Sequence, residues 1–108
     1  MTNVRVVLTT VGVKDVAEKL ATQLVERRLA ACVNIVGPIR SVYRWQHKVQ
    51  NEMEFLLIIK TTAQHAADLQ STFRELHPYD LPECVELPIS GGSEEYLHWL
   101  AAEVSAGE

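Results

Sequence analysis

The feature that most constrains this chain is a pair of long extended stretches in its middle, set back to back across a very short turn. Ala31 to Trp45 carries Cys32-Val-Asn-Ile-Val36, then Gly37-Pro38, then Ile39, Val42, Tyr43 and Trp45. Gln46-His47-Lys48 turns the chain, and Val49 to Thr61 returns with an apolar centre, Phe55-Leu-Leu-Ile-Ile59. β-Branched and aromatic residues suit a pleated, half-buried surface, so the two stretches predict the strands of one hairpin. Gly-Pro inside the first requires a bulge or bend, because proline cannot donate to the ladder and glycine packs no side chain. The second, apolar on both faces at its centre, predicts burial from two sides. Fifteen residues from Ala31 to Trp45 would reach about 50 Å at the usual strand rise. A chain of 108 residues cannot pair all of that length, so partner subunits are the natural place for the overhang.

The flanking segments define the rest of the architecture. Arg5 to Val11 reads as a strand. From Val13 to Leu29 the residues Val16, Ala17, Leu20, Ala21, Leu24 and Val25 recur at three and four, which is the stripe of an amphipathic helix. Thr61-Thr-Ala-Gln64 offers a weak capping box, followed by a second stripe, Ala66, Leu69, Phe73 and Leu76, that Pro78 terminates. Leu81 to Ile89 is a fourth extended stretch, and Pro82 and Pro88 mark it as short or at a sheet edge. Gly91-Gly92 turns the chain, Ser93 is placed to cap, and Glu94 and Glu95 suit the dipole of a short final helix bearing Tyr96, Leu97, Trp99 and Leu100. The order βαββαβ predicts an α+β fold of ferredoxin-like type: one antiparallel sheet with two helices on one face, plus the C-terminal helix. The other face is then expected to be bare and apolar, a larger patch than a soluble monomer usually carries.

At 12.1 kDa residues 1–108 suffice for a single domain. Lys and Arg total 10 against 14 Asp and Glu, a net charge of −4, and the basic residues are scattered. Nucleic acid is therefore excluded as an expected partner, since phosphate binding needs a clustered positive field. No run approaches the about 18 apolar residues of a membrane span, and Met1 to Leu8 has no signal-type pattern. A cytoplasmic location without membrane contact is the expectation. Cys32 and Cys84 stand far apart with no regular spacing, so two reduced thiols are expected rather than a disulfide framework or a structural zinc site.

Several blocks, in order along the chain, carry a resemblance: Ala31-Cys-Val-Asn-Ile35, Ser41-Val-Tyr-Arg-Trp45, Leu57-Ile-Ile-Lys-Thr61, His77-Pro-Tyr79, Pro82-Glu83, Leu87-Pro-Ile89 and Tyr96-Leu-His-Trp-Leu100. Together, from about Val4 to Leu100, they resemble the CutA divalent-cation-tolerance family. The resemblance implies a ferredoxin-like fold, a homotrimer in which long hairpins reach across neighbours, and architectural kinship with trimeric PII-type signalling proteins. It further implies a role in tolerance of copper and other divalent metals, with metal binding and no enzymatic activity. Departures also matter. The family commonly has Pro-Gly where this chain has Gly37-Pro38, and a glycine at the hairpin tip where His47 stands. Keeping that tip conformation places His47 at positive φ, which costs a histidine more than a glycine. Cys84 and Glu86 replace what are usually an aliphatic and a small residue.

Cys32, His77 and Glu83 are the candidate metal ligands. A thiolate at Cys32 suits Cu(I) or Zn(II); the plainer alternative is a small buried hydrophobe in a strand. His77-Pro78-Tyr79 and Glu83 gather an imidazole, a phenol and a carboxylate in one loop, or else His77 caps a helix C-terminus. Tyr43, Trp45, Lys60 and Tyr79 are the candidate lining of a ligand cleft. Lys60 could bind an anion between subunits, or pair with Glu52, Glu54 or Glu83. Trp45 and Trp99 read as core or interface anchors, and His65 and His98 take no role. The function the resemblance implies is that of a non-catalytic homotrimer binding copper or another divalent metal, with no obligatory cofactor. The alternative is a PII-like sensor holding a small anion at the subunit interface with Lys60, Arg40 or Arg44. An acylphosphatase-type enzyme lacks its glycine-rich phosphate loop here, and an RNA-recognition module lacks its strand aromatics and basic face.

Overall fold

Stretches of period 2 and period 3.6 fold as the elements they predict. In the computed structural model, which describes residues 2–105, the chain runs β1 (Val4–Val11), α1 (Lys14–Glu26), β2 (Cys32–Trp45), β3 (Lys48–Thr62), α2 (Ala63–Leu76), β4 (Val85–Pro88) and α3 (Glu94–Ser105). The strands form one antiparallel sheet in the order β2-β3-β1-β4, the ferredoxin-like arrangement. Alternate residues of the two central strands define the core face. Val7 opposes Ile59, Thr9 opposes Leu57 and Val11 opposes Phe55. Against them pack Ala17, Leu20, Ala21 and Leu24 of α1 and Ala66, Leu69 and Phe73 of α2. The helix stripes and the strand alternation thus meet in one core, whose burial is the main favourable term in folding.

Four local expectations are corrected. Helix α1 stops at Glu26 rather than Leu29, because Arg28 turns into the left-handed region at φ 58° and the Leu29 and Ala30 amides donate back to the Leu24 carbonyl. The capping box at the start of α2 does not form: Thr61 donates its hydroxyl to the Leu29 carbonyl, and Thr62 contacts Nδ1 of His65 instead of a helix amide. Strand β4 pairs only over Val85–Pro88, shorter than the Leu81 to Ile89 stretch, since the loop before it is recruited elsewhere. The face opposite α1 and α2 is not bare. Lys60 alternates with the buried Ile59 and Thr61 and so points to that face, where its Nζ lies 5.8 Å from the centroid of the Tyr96 ring. Helix α3 therefore crosses this side, burying Leu100 and Val104. As expected, Ser93 caps it, its carbonyl accepting from the Leu97 amide at 2.9 Å.

The hairpin outgrows the body. Strand β1 reaches only as far as Phe55, so among the described residues β3 has β2 as its only strand neighbour from Lys48 to Glu54. The bend falls where Gly37-Pro38 requires it: the register shifts between Val36 and Ile39, and the Gly37–Pro38 peptide is cis. Gly37 has a second role, since a Cβ there would stand 2.4 Å from the Phe55 ring. The tip is a two-residue turn with both residues at positive φ, Gln46 at 50° and His47 at 68°, a conformation whose twist matches the flanking strands. His47 thus takes the left-handed conformation that a glycine would take more cheaply. Beyond the bend Val42, Tyr43, Trp45, Val49 and Met53 are exposed, and the molecule measures 44 × 25 × 22 Å.

Candidate functional site

The loop between α2 and β4 is fixed by a buried histidine. Pro78 ends α2, the His77 amide donates to the Phe73 carbonyl at 2.9 Å, and the His77 ring then turns inward against β1. Its Nε2 lies 3.0 Å from the Thr10 carbonyl and 3.1 Å from the Thr9 hydroxyl, while its Nδ1 accepts the Tyr79 amide at 3.1 Å. A carbonyl can only accept, so the ring hydrogen sits on Nε2 and the single lone pair, on Nδ1, is already used. Edge contacts with Phe73 and Tyr79 complete the packing. Burial holds the imidazole below its ordinary pKa, against smaller opposing effects of the Thr10 carbonyl and Glu54. In this arrangement the ring has no lone pair left to give a metal; His77 caps α2 through its backbone amide, as one reading of the sequence expected, and its ring ties the loop to the sheet.

Tyr79 extends the tie to the hairpin. Its hydroxyl donates to Oε2 of Glu54 at 2.7 Å, and Glu54, at the base of the projecting half of β3, is only 6% exposed. Gly12 leaves the room, since a Cβ at that position would stand 3.2 Å from the hydroxyl. Burial, then the hydrogen bond to Glu54 and the nearby charge, hold the Tyr79 phenol far above its ordinary value. The exposed Tyr43 is held up in the same sense, by local desolvation first and then by Glu52 and Glu54. Tyr43, Tyr79, Glu52 and Glu54 are thus one neighbourhood. Glu52 and Glu54 are the members that sequence reasoning placed elsewhere, as alternative partners for Lys60; for Glu54 the available signal was an acid adjoining the apolar run of a strand.

Cys32 and Lys60 lie at the other end of the hairpin and are directly opposed in the β2–β3 ladder. Cys32 is half-buried and free, with Asn34 Oδ1 as a weak acceptor at 3.8 Å. Lys60 makes no ion pair among the described residues; the carboxylate pairing expected for it is replaced by the Tyr96 ring. Tyr43 opposes Gln50 and Trp45 opposes Lys48, so Lys60 is separated from both by most of the length of β3, and one chain does not assemble the four-residue cleft. Glu83 is exposed in the loop before β4. Among the described residues no group of three or more His, Cys, Asp or Glu side chains converges to hold a metal, so a single chain does not unite Cys32, His77 and Glu83. Cys84 packs against the core, and burial, then Glu86 and Glu83, hold its thiol above its ordinary pKa. The two tryptophans are 45% and 44% exposed, which excludes a core role for either. No helix among the described residues is long and apolar enough to cross a membrane.

Comparison with known proteins covers nearly the whole chain. The family model described as CutA1 divalent ion tolerance protein matches residues 5–103. The divalent-cation tolerance protein CutA of Thermus thermophilus is 52% identical over 95 residues, 88% of this chain and 92% of that protein. The chloroplastic protein CutA of Arabidopsis thaliana is 50% identical over 95 residues, again 88% of this chain but 52% of the plant protein. The crystal structure of CutA from Xylella fastidiosa superposes with a TM-score of 0.92 at 38% identity, covering 95% of this chain and 99% of that one.

Proposed function

Because this chain belongs to the CutA1 divalent ion tolerance family, we propose that it is a non-catalytic homotrimer that binds divalent or soft metal ions, copper among them, and thereby contributes to divalent-cation tolerance. The observation that carries the assembly is the projecting hairpin. Val42 and Val49 are 66% and 63% exposed on a ribbon that no third strand flanks among the described residues, and a patch of that kind calls for a protein partner. Copies of the same chain supply one, each arm lying on its neighbours.

The metal site of this reading centres on the Cys32 thiolate. Thiolate sulfur is the ligand type that selects Cu(I), and only the deprotonated form binds. Cys84 is the poorer candidate on the same ground, as its raised pKa opposes deprotonation. A lone thiolate leaves the coordination incomplete, so neighbouring chains or solvent complete it and the affinity is modest. The cytoplasm suits two cysteines that stand unpaired. Two measurements test the reading. Light scattering at micromolar concentration and moderate salt is expected to give the mass of three chains; a mass near one chain overturns it. A Cu(I) competition assay under reducing conditions is expected to show weakened binding in Cys32→Ser and wild-type binding in Cys84→Ser. Equal binding by Cys32→Ser and wild type removes Cys32 from the site.

A further inference from the structure

We propose that His77, Tyr79 and Glu54 form a proton-released latch, in which the neutral His77 ring holds the α2–β4 loop so that Tyr79 clamps the base of the projecting hairpin. This inference depends on neither metal binding nor the trimer.

The geometry admits one protonation state of the ring. Nε2 faces a carbonyl and must carry hydrogen, whereas Nδ1 faces the Tyr79 amide hydrogen and must not. A second proton would have to go on Nδ1, where it meets the N–H of Tyr79 head-on. The bond that sets the backbone of Tyr79 is then lost, and with it the placement of the phenol whose hydroxyl donates to Glu54 at 2.7 Å. Glu54 is 6% exposed and Tyr79 is the side chain that donates to it. Releasing Tyr79 leaves a buried carboxylate without its donor, which favours opening of the hairpin base to water.

The groups facing the ring decide the direction of the response. Strand β1 presents Thr9 and Thr10, α2 presents Phe73, the loop presents Tyr79, and β3 presents Glu54. Only Tyr79 and Glu54 among these titrate. The carboxylate favours the charged ring, but burial outweighs it and the folded-state pKa lies below the unfolded one. A histidine with a lowered folded-state pKa stabilises the closed state fully above its ordinary value of about 6.5 and loses that contribution as pH falls toward the folded-state value. The latch is thus closed at neutral pH and released by acid. Its pieces lie on β1, on the loop and on β3, so one proton acts on three segments of chain.

Backbone hydrogen exchange on the full chain, corrected for intrinsic rates, tests the proposal. Between about pH 7.5 and about pH 5, opening at residues 77–84 and 52–56 is expected to rise about tenfold, while residues 17–24 of α1 stay unchanged. In His77→Gln, which keeps a donor for Thr10 without a titrating ring, the rise is expected to vanish. In Tyr79→Phe, residues 52–56 are expected to be open already at the higher pH and to respond no further, with residues 77–84 keeping the wild-type response. No change in the wild type, an equal rise in α1, a surviving response in His77→Gln, or a wild-type response of residues 52–56 in Tyr79→Phe each overturns the latch. Should His77→Gln fail to fold, an NMR titration of the wild-type ring decides: an Nε2–H tautomer with a pKa below the ordinary histidine value supports it, and a pKa at or above that value overturns it.

Discussion

The inner and outer halves of the β2–β3 hairpin are made of similar residues and meet opposite fates. In the inner half Leu57 and Ile59 are fully covered, because β1 flanks β3 from Phe55 to Thr62 and two helices close over that face. In the outer half the ladder runs unbroken from Ile39 to Trp45, yet Val42, Val49 and Trp45 stay exposed. Pairing satisfies the backbone, whereas burial of side chains requires a second layer. A two-stranded ribbon is marginal by itself in water. The arm is held by the body at its base and by whatever covers its faces beyond.

The sharpest way to break this contrast is to remove bulk from the covered half. Phe73→Ala, at a ring that is 1% exposed in the core, is expected to cost about 3–5 kcal/mol in denaturant unfolding. A loss below about 1 kcal/mol would show that the body is not packed as a core residue of this size requires. In the outer half the effect should move from folding to association. Trp45→Ala is expected to weaken assembly by about 2 kcal/mol, the scale of a buried aromatic anchor, seen as dissociation on dilution in light scattering, and to lower thermal stability with it. Unchanged association and unchanged melting would mean that the arm carries its anchor elsewhere. The smallest effect lies at the tip and has the opposite sign. His47→Gly relieves a left-handed backbone at φ 68° and is expected to raise stability by about 1 kcal/mol, read as a higher melting temperature. A lowered melting temperature would show that the imidazole makes a compensating contact.

What could be read in advance divides along the same line. The core of α1, α2 and the inner strands was legible because its spacing is periodic and each period has one physical cause, a face turned to the interior. The bend at Gly37-Pro38 was legible from proline chemistry. The side of the sheet that α3 covers was not: Tyr96 and Trp99 lie side by side with ring centroids 5.5 Å apart, and nothing in their spacing says which strand face the helix meets. The false capping box shows a second limit. Thr61 and Thr62 have the right composition, but the Leu29 carbonyl and His65 compete for their hydroxyls from positions that no local motif reveals. Glu54 and Tyr79 are 25 residues apart in sequence, and the isolation of Lys60 from Tyr43 and Trp45 follows from ladder register alone. Contacts between unlike elements leave no period in the chain.

The place of β1 in the sheet bears on how the protein is made. Leu8 pairs with Ile58 on one side and with Val85 on the other, so β1 leaves the ribosome before either of its neighbours and stays unpaired until β3 has followed. The β2–β3 hairpin, closed by its two-residue turn, can zip at once, since short loops cost little entropy to close. The nascent chain thus carries an apolar ribbon before the strand that shields it has docked, the kind of surface that chaperones hold. Of the four strands, β1 alone is made before the hairpin surface on which it docks.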